Sequence, residues 1–108
     1  MAEARIVLTT VGVKDVADRI ASELVERRLA ACVNIVGPIE STYRWKGKIE
    51  HEQEYLLLIK TTTEQAARLE AAFKELHLYE LPERIEVSVE GGSEAYLAWI
   101  AGEVNGTD

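Results

Sequence analysis

The sequence predicts an α+β sandwich of βαββαβ order, closed by a short C-terminal helix. Three observations carry that reading. Apolar residues recur at steps of three and four over residues 14–30, and again over residues 62–76, which is the period of a helical face. Two short β-rich runs, residues 5–10 and 84–90, flank those helices. Two long runs, residues 32–45 and 48–61, are separated only by Lys46-Gly47, which reads as a hairpin.

The elements follow in order. Arg5-Ile-Val-Leu-Thr-Thr10 is a short first strand. In residues 14–30, Val16, Ala17, Ile20, Ala21, Leu24, Val25 and Leu29 share one helical face. Asp15/Arg19 and Glu23/Arg27 stand four apart with the acid first, each adding about 0.2–0.5 kcal/mol. In the second strand Val33, Ile35, Ile39, Ser41, Tyr43 and Trp45 fall on one parity. Gly37-Pro38 interrupts it and predicts a bulge or bend, because a central strand does not accommodate proline. Gly47 supplies the positive φ of a tight turn.

Thr62 and Gln65 have the spacing of a capping box at the start of the second helix. Ala66, Leu69, Ala72, Phe73 and Leu76 make its buried face. Pro82 disfavours helix at Leu81, so residues 77–83 form a loop. Ile85, Val87 and Val89 alternate with Glu86, Ser88 and Glu90, a strand with one wet face. Gly91-Gly92 breaks the chain, and Ser93 caps a last helix carrying Tyr96, Leu97, Trp99 and Ile100. Two helices on one face of a four-stranded antiparallel sheet is the ferredoxin-like arrangement. One such domain accounts for residues 1–108.

The third strand departs from that plan. Tyr55, Leu57 and Ile59 fill one face while Leu56 and Leu58 fill the other. A half-solvated strand alternates apolar with polar residues. The off-parity Val36 of the second strand agrees, and the surplus apolar face predicts self-association.

Composition narrows the function classes. Twelve Lys and Arg face nineteen Asp and Glu, a formal charge of −7. That balance argues against a general nucleic-acid binder and against adhesion to an anionic membrane. The single cysteine, Cys32, excludes an intrachain disulfide and a cysteine-clustered zinc site. Neither a secretory leader nor a membrane span is evident, so a cytoplasmic protein is expected. Residues 105–108 read as a frayed polar tail.

Several segments carry a resemblance. They are Leu29-Ala-Ala-Cys-Val-Asn-Ile35, Tyr43-Arg-Trp-Lys-Gly-Lys-Ile-Glu50, Leu57-Leu-Ile-Lys-Thr-Thr62, His77-Leu-Tyr-Glu-Leu-Pro-Glu83 and Tyr96-Leu-Ala-Trp-Ile100. In this order and spacing the chain resembles the CutA family, named for divalent cation tolerance. The resemblance implies a ferredoxin-like subunit in a tight homotrimer, with long hairpins reaching between subunits. It implies a role in tolerance to divalent metals, Cu(2+) above all, by direct metal binding, and no enzymatic reaction. The assembly is also similar to the PII signalling proteins. The alternative is therefore a signalling or scaffolding trimer that binds a small anionic ligand at the inter-subunit cleft.

A copper site needs imidazole, thiolate or thioether ligands close together. The chain offers Cys32, His51, His77 and Met1. The family's proposed ligand positions, a cysteine on the first strand and two adjacent histidines, fall on Thr9, Leu76 and His77. His77 is the best single candidate and Cys32 the second. Against that, His77 suits a helix C-terminus, Cys32 suits a buried strand start, and His51 reads as a solvated strand residue. Tyr43, Trp45, Lys48, Lys60, Tyr79 and Glu80 match the family's shared segments and read equally as a ligand pocket or as interface packing. The anionic ligand of the alternative would sit near Lys48 and Lys60. Gly91-Gly92-Ser93 reads as a helix-start turn rather than as an anion site. An acylphosphatase-like enzyme needs an Arg after the first strand, where Val11-Gly12-Val13 offers none. An RNA-binding module needs exposed aromatics on its central strands, and Ile6-Val-Leu-Thr9 has none.

Overall fold

A computed structural model describes residues 3–105. The chain runs β1 (Ala4–Val11), α1 (Lys14–Glu26), β2 (Cys32–Trp45), β3 (Lys48–Thr62), α2 (Thr63–Ala66), α3 (Leu69–Leu76), β4 (Ile85–Ser88) and α4 (Glu94–Val104). The strands pair antiparallel in the order β2-β3-β1-β4. This is the ferredoxin-like α+β arrangement that the sequence predicts. Residues 106–108 and Met1 lie outside the described residues, and so do the expectations about them. No helix among the described residues is long and apolar enough to cross a membrane.

Strand alternation builds the core. Val7 and Val11 of β1 and Leu57 and Ile59 of β3 turn to one side and are buried. They pack with Ala17, Ile20 and Leu24 of α1 and Leu69, Phe73 and Leu76 of α3. The first helix is shorter than its apolar period implies. Arg28 takes φ 59, outside the helical region, and Leu29 and Ala30 bond back to the Leu24 carbonyl. Leu29 still packs on the core, so a helical spacing persists past the helix end. The second predicted helix is split into α2 and α3, and the Thr62–Gln65 capping box does not form. Gln65 Nε2 instead donates to the Val104 carbonyl at 2.6 Å, tying α2 to the end of α4. Ser93 does cap α4, accepting from the Tyr96 N–H at 3.3 Å.

The β2–β3 register corrects the single-parity reading of β2. Val33 and Ile35 oppose Ile59 and Leu57, but a bulge between Val36 and Ile39 adds one residue. Beyond it Ile39, Ser41, Tyr43 and Trp45 oppose Glu54, Glu52, Glu50 and Lys48. The second half of β2 therefore presents its odd residues to the opposite face. Gly37 permits the crossing, since a Cβ there would stand 2.6 Å from Tyr55 Cδ2. At the hairpin tip Lys46 and Gly47 take φ 50 and 82, the positive pair that a two-residue turn requires.

The other sheet face stays open. Ile6, Leu8, Leu56 and Leu58 are half-buried there, and Val36, Ile85 and Val87 are exposed. α4 covers one corner, where Leu97, Ile100 and Val104 meet Ala31. β4 is shorter than predicted, and its apolar side is as exposed as its polar side. The register explains this: Ile85 and Val87 oppose Leu8 and Ile6, on the face away from α1 and α3.

Candidate functional site

The long hairpin leaves the sheet beside the loop that follows α3. Between them opens a groove of about 920 Å³. One wall is the hairpin stem, with Ser41, Tyr43 and Trp45 beside Glu52 and Glu54. The other is residues 78–83, and the floor includes Thr10, Gly12 and Val13. The β2 bulge makes this site, because it puts Tyr43 and Trp45 on the face of Glu52 and Glu54. Four of the lining residues are glutamates, Glu52, Glu54, Glu80 and Glu83, and none is Lys or Arg.

His77 anchors the loop from below. Its ring is buried. Nε2 lies 3.0 Å from the Thr10 carbonyl and 3.1 Å from Thr9 Oγ1. A carbonyl only accepts, so Nε2 carries the proton. Nδ1 then accepts from the Tyr79 N–H at 3.2 Å. Burial holds the imidazole below its ordinary pKa, against the raising influence of the Thr10 carbonyl and of Glu54. The Tyr79 ring packs on His77 with centroids 5.0 Å apart, and its hydroxyl donates to Glu54 Oε2 at 2.6 Å. Burial and then the Glu54 carboxylate push the Tyr79 phenol up. Gly12 leaves room for that hydroxyl, since a Cβ there would stand 3.1 Å from it. Burial, reinforced by Glu54, also raises the Glu83 carboxyl. Burial and then Glu52, Glu54 and Glu50 raise the Tyr43 phenol.

The predicted site residues separate into groups. Tyr43, Trp45, Tyr79 and Glu80 line one groove. Lys48 and Lys60 do not. Lys48 is at the hairpin tip and Lys60 twelve residues further along β3, roughly 40 Å away at the rise of a strand. The Lys60 ammonium instead lies 5.7 Å from the centroid of the Tyr96 ring of α4. His77 and Cys32 do not share a site either. Cys32 is aligned through Lys60 with Ile6, whereas His77 sits at Thr9 and Thr10, roughly 15 Å off by strand rise and spacing. Both His77 nitrogens are engaged in hydrogen bonds, so the ring has no free lone pair for a metal. Thr9 and His77, two of the three resemblance positions, do meet, as a hydrogen bond. His51 stands on the opposite side of the hairpin, its Nδ1 3.2 Å from Thr42 Oγ1. Among the described residues no group of three or more His, Cys, Asp or Glu is placed to hold a metal ion. Glu52, Glu54, Glu83 and Gly12 are further site residues. For Glu52 and Glu54 the sequence signal is the glutamate run at alternate positions 50, 52 and 54, which gains meaning only with the bulge in place; Glu83 and Gly12 carry no such signal.

Comparison with known proteins adds the following. A family model described as CutA1 divalent ion tolerance protein matches residues 5–103. The divalent-cation tolerance protein CutA of Thermus thermophilus is 47% identical over 95 residues, covering 88% of this chain and 92% of that protein. Human protein CutA is 46% identical over 85 residues, covering 79% of this chain and 48% of that protein. The chain spans about half the length of the animal and plant relatives it matches. The solved divalent cation tolerance protein of T. thermophilus superposes with a TM-score of 0.92 at 44% identity, over 94% of this chain and 99% of that one. Names among the relatives differ in compartment: the Arabidopsis protein is called chloroplastic and the Archaeoglobus one periplasmic.

Proposed function

The chain belongs to the CutA1 divalent ion tolerance family, and from that premise we propose that it acts as a non-enzymatic homotrimer in divalent-cation tolerance, with the hairpin groove as its cation-facing site. One observation carries the assignment to the groove: its charged lining is all carboxylate. The family role supplies the ligand class, and the lining supplies the matching sign. Three copies at −7 each carry −21, which draws cations to the whole particle. Specific binding must therefore exceed that background.

The trimer rests on the open face of Leu56, Leu58, Ile6, Leu8, Ile85 and Val87, an apolar patch of the kind that marks an interface. The single unpaired cysteine fits a reducing cytoplasm. The alternative, a PII-like trimer holding a small anion, finds no basic lining in the groove of one subunit.

Calorimetric titration with Cu(II), on the wild type, Glu52→Gln/Glu83→Gln and His77→Gln, tests the reading. Weakened binding in the glutamine pair, with His77→Gln still binding, is the expected result. Equal binding by the wild type and the glutamine pair would remove the groove from the function.

A further inference from the structure

We propose that the groove binds a small organic cation, a primary ammonium carried on a flat apolar body. The proposal deepens the groove reading above and names a ligand that needs no metal-type ligand cluster. The chain displays the chemistry with one of its own side chains. Lys46 Nζ lies 5.6 Å from the centroid of the Trp45 ring, within cation–π range. The same nitrogen is 4.0 Å from Glu80 Oε1. An alkylammonium thus already sits between an aromatic face and a carboxylate, both of which line the groove, while Lys46 itself does not. Its contacts are weak ones. The Lys46 and Glu80 side chains are 70% and 74% exposed, and an exposed pair at that distance holds little. A free ligand can displace it.

Further in, the same two kinds of group recur. Tyr43 and Tyr79 add aromatic surface, and Glu52, Glu54 and Glu83 add carboxylate. Glu54 is committed to the Tyr79 hydroxyl, which leaves Glu52 and Glu83 as the acceptors for an ammonium. Aromatic walls favour a flat body, and a lining whose charged groups are all carboxylate favours a positive head. The volume, about 920 Å³, lies within the range of small-molecule sites. A divalent ion would use the carboxylates alone. An ammonium uses one or two carboxylates and a ring together.

Trp45 is a built-in reporter once the exposed Trp99 is replaced by Phe. The probes are 2-phenylethylamine and 3-phenylpropionate, similar in shape and opposite in charge. In the full-length Trp99→Phe chain the amine is expected to shift Trp45 emission saturably, and the carboxylate is not. Glu83→Gln is expected to weaken the amine by about fivefold, and Lys46→Gln to tighten it about twofold by removing the tethered competitor. Arg68→Gln makes the same charge change at the N-terminal end of α3, the end of that helix away from the groove loop, and should leave the affinity unmoved. Three results would overturn the proposal: no saturable shift with the amine, equal binding of the carboxylate, or equal effects of Lys46→Gln and Arg68→Gln. Light scattering and a melt on each variant confirm that it is folded and assembled as the parent. A Cu(II) titration of the same samples separates the two readings. Carboxylate-dependent copper binding with no amine response ends this proposal alone, and loss of both ends the groove as a cation site.

Discussion

The Tyr79 hydroxyl donates to Glu54 Oε2 at 2.6 Å, joining the loop after α3 to the stem of the hairpin. Glu54 is only 5% exposed, so this bond satisfies a carboxylate that has little access to water. Tyr79→Phe keeps the ring against His77 and deletes the donor. Leaving a buried acceptor unsatisfied costs about 1–3 kcal/mol. Urea unfolding is expected to show a loss in that range for Tyr79→Phe. The double variant Tyr79→Phe/Glu54→Gln should recover part of it, because the charge left behind is gone. An unchanged midpoint for Tyr79→Phe would mean that the bond contributes nothing.

Acid should loosen the same loop. The neutral His77 ring donates from Nε2 and accepts at Nδ1. Protonation turns Nδ1 into a donor facing the Tyr79 N–H. Burial depresses the folded pKa below the ordinary 6.5. The unfolded chain then binds the proton more readily than the folded one. The contribution of His77 is therefore complete above about pH 6.5, and is lost as pH falls through the lower folded value. Proton NMR of the ring should give a midpoint below 6.5, and the melting temperature of the wild type should fall over the same interval. His77→Gln should lack that component of the fall. A ring titrating above 6.5 would reverse the sign and sink the account.

Gly37 is where the hairpin turns its faces over. Gly37→Ala places a Cβ 2.6 Å from Tyr55 Cδ2, an overlap that the structure must relieve by moving a ring or a strand. Overpacking of this kind costs about 1–3 kcal/mol. The larger expected effect is local. If the bulge is lost, Tyr43 and Trp45 leave the face of Glu52 and Glu54, and the groove goes with them. Trp45 emission in a Trp99→Phe background should change in Gly37→Ala. Far-UV circular dichroism should stay close to that of the parent. Unaltered emission would show that the bulge survives the substitution.

That residue also marks how far the sequence could be read. The helical faces, the hairpin and its Lys46-Gly47 turn follow from local periodicity and backbone chemistry, which act over a few residues. Gly37-Pro38 announces an irregularity in the same local way. Its consequence is not local. Parity along β2 reverses only when one residue is left unpaired against β3, and pairing is a property of two strands. Tyr43 and Trp45 are therefore recognisable as site residues from the segments they lie in, while Glu52 and Glu54, which line the same groove, are not. The surroundings of His77 are hidden for a similar reason. Thr9 and Thr10, which meet its Nε2, lie far from it in sequence. Gln65 has capping-box spacing, yet a long-range carbonyl on α4 outcompetes the cap.

The open sheet face gives the last prediction. Leu58 lies opposite Leu8 in the β1–β3 register, and Leu8 in turn opposes Ile85. These three, with Leu56, Ile6 and Val87, form an apolar surface that α1 and α3 cannot reach, because those helices pack on the other side. Light scattering of the wild type is expected to give three times the 12.0 kDa chain mass, about 36 kDa. Leu58→Asp puts a charge into the centre of that face. Within a subunit Leu58 is half-buried and outside the α1–α3 core, so the fold should tolerate the change better than the assembly does. The expected result is a 12.0 kDa particle that keeps the far-UV spectrum of the parent. Two outcomes would argue against this face as the interface. One is a wild type already at chain mass under micromolar conditions. The other is a Leu58→Asp variant that assembles as the parent does.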